Sequence, residues 1–207
     1  MIISSKINNQ KWIWVKVPKT GTRAYSKLFY AYDEPKLHFH FTFHELYLQH
    51  QKQYKGFTVI RNPLTRFVSA LKHLAELDIF GKMPSDTIEN LVNFLYDNFH
   101  QNCIPKDDIP LTTIFGVDYI GYHESFFKTQ VHWAYHPKVH WFKYENLSEF
   151  NEWLNVNLGI DTSKIERVGE TKKSKLSNLD FTNINFIKLV EYLFYDDYKV
   201  FNYSLPA

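Results

Sequence analysis

The sequence predicts an α/β domain built on a mainly parallel sheet, and three observations carry that expectation. Two strand, loop, helix units follow one another within the first 77 residues, and a later strand candidate runs directly into a well-delimited helix. The composition also supplies a large core: 44% of the 207 residues are hydrophobic and 22% charged, with 18 Phe, 14 Tyr and 5 Trp. That is the balance of a packed chain rather than a disordered one, and the length suits one domain spanning residues 1–207.

Lys11 to Val17 (KWIWVKV) is aromatic and β-branched and stops at Pro18, where a backbone donor is lost, so it reads as a strand. Ala24, Tyr25, Leu28, Phe29 and Tyr32 then recur at helical spacing until Asp33-Glu34-Pro35 breaks the run. A His- and Phe-rich stretch from Leu37 to Phe43 leads into a short helix from about Glu45 to Gln53. Gly56 to Arg61 (GFTVIR) reads as a buried strand, and Pro63 opens a helix carrying Phe67, Leu71 and Leu74. Further on, Thr87 to Phe99 reads as helix, Pro105 to Pro110 as loop, and Val117 to Gly121 and Val139 to Tyr144 as strands. LSEFNEWLNVNLG has Ser148 near its cap position and Gly159 at its end, so it is expected to be a helix with both start and stop signals. Asp161 to Ser177 is a polar loop, and a last helix from about Asn183 to Tyr195 precedes an aromatic tail (Tyr198, Phe201, Tyr203) expected to close the core.

Charge and cysteine content narrow the function classes. Lys plus Arg (24) against Asp plus Glu (22) leaves a net +2, too little for a face that covers nucleic acid, so any basic site is local. The single cysteine, Cys103, forms no internal disulfide. Met1 to Gln10 is mostly polar and Lys16 cuts the next apolar run, which argues against a signal peptide; no window approaches the roughly 20 apolar residues of a membrane span. A soluble, cytoplasmic chain is expected.

The chemistry-bearing residues fall in the loops after the first two strands. Pro18-Lys19-Thr20-Gly21-Thr22-Arg23 joins strand to helix, where ligands of open α/β sheets bind and where backbone N–H groups attract anions. Lys19 adds a point charge, Gly21 permits close backbone approach, and Thr20 and Thr22 supply hydroxyls. It is not a Walker A loop, since GxxxxGK[ST] is absent. A solvated turn with one exposed lysine is the plain alternative. In the second loop Arg61 ends the strand and Ser69 follows two helical turns into the next helix, about 12 Å along at roughly 1.5 Å per residue. The two converge only if the strand end folds back beside the helix, and would then make a forked-plus-neutral donor set for a second phosphate. Here the plain alternative is a helix capped by Asn62 with surface arginines.

Two anion sites after successive strands suit a ligand with separated phosphates. VPKTGTRA resembles the 5′-phosphosulfate loop, and FTVIRNPLTRFVSAL the 3′-phosphate segment, of sulfotransferases that use 3′-phosphoadenosine 5′-phosphosulfate (PAPS). The carbohydrate branch of that family, with forms PKTG(G/S)TS and R(D/N)PxxRxVSxY, is the most similar. HFTFHEL (His40 to Leu46) resembles a His-x-Thr segment between the loops, WFKYENL (Trp141 to Leu147) the family's IGRFENL, and LVEYLFYDDYKVFNY (Leu189 to Tyr203) its closing YxxDFxLFGY. Arg23 stands where the family has Thr or Ser, and Ala70-Leu71 replaces the common Ala-Tyr.

The resemblance implies a P-loop-like three-layer α/β/α fold and transfer of a sulfuryl group from PAPS to an acceptor hydroxyl, on a carbohydrate or small metabolite, without a metal. It implies that Lys19, Thr20, Gly21, Thr22 and Arg23 hold the sulfuryl end of the donor, Lys19 also acting catalytically on the leaving phosphate, and that Arg61 and Ser69 hold the 3′-phosphate. Lys172 and Lys173 match a late basic loop over the nucleotide, and Gln130, after Thr129, resembles a Pro-Gln pair. The general base is expected to be His40, with His38 second, since an imidazole near pKa ~6.5 suits the task. These histidines equally alternate with Leu37, Phe39, Phe41 and Phe43 as the wetter face of a strand, and HxHxxxH through His44 is a weak zinc pattern. His123 and Glu124 are candidates to line the acceptor cleft or an ordinary surface loop. Two other readings remain: a catalytically silent nucleotide- or glycan-binding module on the same fold, and a nucleotide kinase, for which Walker A is missing and Asp118 is the nearest metal-binding candidate.

Overall fold

The computed structural model describes residues 1–29, 42–50, 53–76, 126, 128–163, 165 and 181–206. These divide into two compact units, one formed by residues 1–62 and 130–170 and the other by 63–129 and 171–207.

The first unit is an α/β assembly on a four-stranded sheet of order β1-β2-β3-β4: β1 (Ile2–Ser4), β2 (Lys11–Trp14), β3 (Lys55–Ile60) and β4 (Val139–Lys143). β2, β3 and β4 run parallel, with Trp14 opposite Phe57 and Ile60 opposite Lys143. β1 pairs antiparallel to β2, Ile3 opposite Trp12, which makes the sheet mixed.

Side chains alternate across a strand, so β2 feeds two cores. Trp12 and Trp14 join Phe57, Val59 and Phe142 in a cluster with Tyr25 and Phe29 of α1 (Thr22–Phe29) and Phe150, Leu154 and Leu158 of α5 (Leu147–Leu158). Ile13, Val15 and Val17 pack in another cluster with Phe43, Leu46 and Tyr47 of α2 (Phe43–Gln49) and Trp133 and Ala134 of α4 (Gln130–Ala134). Helices therefore cover both faces of the sheet. Rings dominate the first core, with Trp14 and Phe29 at 4.5 Å and Tyr25 and Phe150 at 4.9 Å, and each buried aromatic contributes about 1.5–3 kcal/mol by removal from water.

Local signals explain the helix ends. Thr42 caps α2 through a reciprocal box with Glu45, so the helix starts before the expected Glu45 and ends at Gln49 rather than Gln53. A one-turn 3₁₀ segment, Tyr144–Asn146, joins β4 to α5. Ser148 lies inside α5 and donates to Asn146 Oδ1 at 2.7 Å; the cap position belongs to Asn146, not to the expected Ser148. Gly159 ends the helix in the left-handed region (φ +66°).

The second unit holds α3 (Pro63–Glu76), α6 (Ile184–Leu193) and α7 (Tyr195–Val200). Asn183 caps α6, its side chain accepting from the Asn185 and Phe186 amides. Phe67 lies against Phe186 and Phe194 at 5.7 and 5.4 Å, and Tyr198 and Phe201 of the aromatic tail are buried. Arg66, expected at the surface if Asn62 merely capped a helix, is fully buried instead. It donates to the Phe126 and Lys128 carbonyls at 3.3 and 2.7 Å and stands 4.0 Å from the equally buried Asp197. The strand expected at Val117 to Gly121 and the helix at Thr87 to Phe99 lie outside the described residues. Among the described residues no helix is long and apolar enough to cross a membrane.

Candidate functional site

Three parallel strands end at one edge of the sheet, and the residues just beyond them meet there. The chain after β2 stays attached to β3: Val15 N–H donates to the Phe57 carbonyl at 3.0 Å, and Thr58 Oγ1 to the Val15 carbonyl at 2.8 Å. It then turns sharply, with Lys19 (φ +66°) and Gly21 (φ +78°) both left-handed on either side of Thr20. A left-handed lysine costs on the order of 1 kcal/mol, so the surroundings must hold it. Thr20 does so from within: it is fully buried and its hydroxyl donates to the Val17 carbonyl at 2.9 Å. That hydroxyl proton is committed to the loop and turned inward, not outward as the sequence leads one to expect.

Gly21 faces the ring of Tyr144, to which an added Cβ would come within 2.9 Å. The close approach that requires glycine is thus made by a neighbouring side chain. Thr22 opens α1 half-buried, and Arg23 is exposed. Tyr25, one turn into the helix, donates to Asn151 Oδ1 at 2.7 Å. Burial pushes its phenol up to about 12, the nearby Tyr144 adds to this, and the Asn151 bond pulls the other way, so Tyr25 is a neutral donor at neutral pH.

Arg61 follows β3 directly. Its guanidinium lies over the Tyr144 ring at 4.6 Å and donates to the Lys19 carbonyl at 3.4 Å, which ties the two sequence loops together. Its backbone is gripped by Gln130, whose Oε1 accepts from the Arg61 N–H at 2.7 Å while its Nε2 donates to the Arg61 carbonyl at 2.8 Å. The next amide, Asn62 N–H, donates to Glu145 Oε1 at 2.8 Å.

The structure therefore brings together Lys19, Thr20, Gly21, Thr22 and Arg61 in the first unit. Ser69 lies half-buried two turns into α3, in the second unit. His38, His40, Lys172 and Lys173 lie outside the described residues, as do His123 and Glu124. Among the described residues no group of three His, Cys, Asp or Glu side chains is placed to hold a metal. Tyr144 and Glu145 received no role from the sequence, although their position straight after a parallel strand could have found them, since that is where ligand-binding loops of α/β sheets gather.

No family model matches the chain, and no curated protein and no solved structure matches it significantly.

Proposed function

We propose that this chain is a PAPS-dependent sulfotransferase of the carbohydrate type, moving a sulfuryl group to a hydroxyl of a sugar or small metabolite. The observation that supports this most is the tie between the two loops: the segments that resemble the phosphosulfate and 3′-phosphate sites leave neighbouring parallel strands, and Arg61 bonds the backbone of Lys19. A lysine, a run of helix-start amides and a forked guanidinium at one sheet edge supply donors that suit a ligand carrying two separated anionic groups.

In this reading Lys19 and the amides of Thr20, Gly21 and Thr22 hold the sulfuryl end and offset negative charge that grows on the leaving phosphate. Arg23 adds positive charge beside them where the family has a hydroxyl. Arg61 recognises the 3′-phosphate; the resemblance assigns Ser69 to the same phosphate and Lys172 and Lys173 to the nucleotide. His40, with His38 as the alternative, takes the proton that the acceptor hydroxyl gives up. PAPS, when bound, supplies the sulfuryl group and a stable leaving group, adenosine 3′,5′-bisphosphate.

The test is transfer of radiolabel from PAPS to a panel of sugars, glycans and hydroxylated metabolites. Wild type is expected to label at least one, and His40→Ala to lose on the order of 100-fold or more in turnover while its nucleotide affinity is unchanged. Undiminished turnover in His40→Ala would remove the base assignment. Nucleotide binding with no labelled acceptor would favour the silent binding module.

A further inference from the structure

Gln130 is fully buried, and its carboxamide spans the two backbone polar groups of one residue, Arg61. A carboxamide is suited to this because it presents one acceptor and one donor side by side, matching an N–H and a C=O of the same residue. Arg61 has just left β3, and these two bonds hold its backbone beyond the end of the strand. Glu145 accepts from the following amide, that of Asn62, and the Tyr144 ring bounds the Arg61 side chain. With the backbone clamped on both sides, the guanidinium is launched from a fixed point.

We propose that Gln130 is a positioning residue for ligand selectivity: by gripping both backbone groups of Arg61 it sets where the guanidinium stands, and hence how well the protein distinguishes a nucleotide with a 3′-phosphate from one without. This rests on the reading of Arg61 as the 3′-phosphate ligand. Being fully buried, Gln130 acts through Arg61.

The experiment compares binding of adenosine 3′,5′-bisphosphate with that of adenosine 5′-monophosphate, which differs only by the 3′-phosphate, in wild type, Gln130→Met and Gln130→Glu at about pH 8 and about pH 5.5. Wild type is expected to favour the bisphosphate at both. Gln130→Met keeps the side chain's length without its hydrogen bonds and should lose about tenfold of that preference, with affinity for the monophosphate unchanged. Gln130→Glu is the sharper probe. Its ionised carboxylate accepts from the Arg61 N–H but repels the Arg61 carbonyl, and full burial against that carbonyl raises its pKa above the ordinary ~4.3, so that it protonates near the lower pH; the protonated carboxyl restores both donor and acceptor. Its preference should therefore be weak at the higher pH and return toward wild type at the lower, a rescue that a merely space-filling role would not produce. If Gln130→Met does not fold, the pH response of Gln130→Glu decides alone. Equal preference in wild type and both variants overturns the role of Gln130 and leaves the sulfotransferase reading standing. Absence of preference in wild type itself overturns that reading, and this inference with it.

Discussion

Gly21 is fixed by two independent demands, a φ of +78° and the Tyr144 ring 2.9 Å from where a Cβ would sit. Gly21→Ala is therefore expected to cost about 1–3 kcal/mol and to disturb the loop that carries Lys19, measured as a lower denaturation midpoint together with weakened nucleotide binding. An alanine variant with wild-type stability would mean that the ring moves aside freely. His136 yields a prediction in pH. Burial first, then Lys138 and His44, hold its imidazole below the ordinary value, while its Nδ1 accepts from the Lys138 amide at 3.1 Å. Between that lowered value and the ordinary one near ~6.5 the unfolded chain binds more protons, so this contribution to stability is complete above the ordinary value and declines as pH falls through the window. His136→Asn should flatten the fall in urea midpoint between about pH 7 and about pH 5; parallel curves would contradict it. At this scale the sequence reveals which residues bear charge and hydroxyls but not which way they face. Lys19 and Arg61 are legible because a strand end and a helix start frame them. The hydroxyl of Thr20 turning inward to Val17 and the guanidinium of Arg66 buried beside Asp197 depend on neighbours that no local pattern specifies.

Elements are most legible where start and stop chemistry coincides with periodicity. α5 ends at Gly159 as the sequence implies, because only a left-handed residue lets the Gly159 and Ile160 amides reach the Asn155 and Leu154 carbonyls at 3.0 and 3.2 Å. Gly159→Ala should lose about 1 kcal/mol in denaturant unfolding, with the fold otherwise intact; no loss would show that α5 frays there without consequence. β1 escapes the sequence because three residues give no period, and its place is set by pairing with β2, a tertiary fact. The aromatic tail reads as core filler, yet Tyr195–Val200 is a helix of its own, separated from α6 at Phe194. The Thr42 and Glu45 box is present in the sequence and marks the start of α2 at Phe43, ahead of the expected Glu45.

Across the whole molecule each unit has its own source of order. In the first unit, aromatic and aliphatic side chains fill both faces of the sheet, and the site lies where the parallel strands end. In the second, the helices surround the buried Arg66 and Asp197. Removing one member of a buried pair strands the other charge, so Asp197→Ala is expected to destabilise the fold by about 3–5 kcal/mol, read from the denaturant midpoint, and a cost under about 1 kcal/mol would show that the carbonyls of Phe126 and Lys128 suffice for Arg66. The sheet, its parallel core and the two loops at its edge are legible in the sequence; the clamp on Arg61 is not, because it joins residues distant along the chain. The central claim is a site for a 3′-phosphorylated nucleotide built on Lys19 and Arg61. Thermal unfolding of wild type and Arg61→Ala with adenosine 3′,5′-bisphosphate, ADP and ATP tests it most directly. At 100 times its dissociation constant a ligand stabilises the native state by about 2.7 kcal/mol, so the account predicts a raised midpoint with the bisphosphate alone, lost in Arg61→Ala. A shift with ATP instead, or none with any of the three, would contradict it.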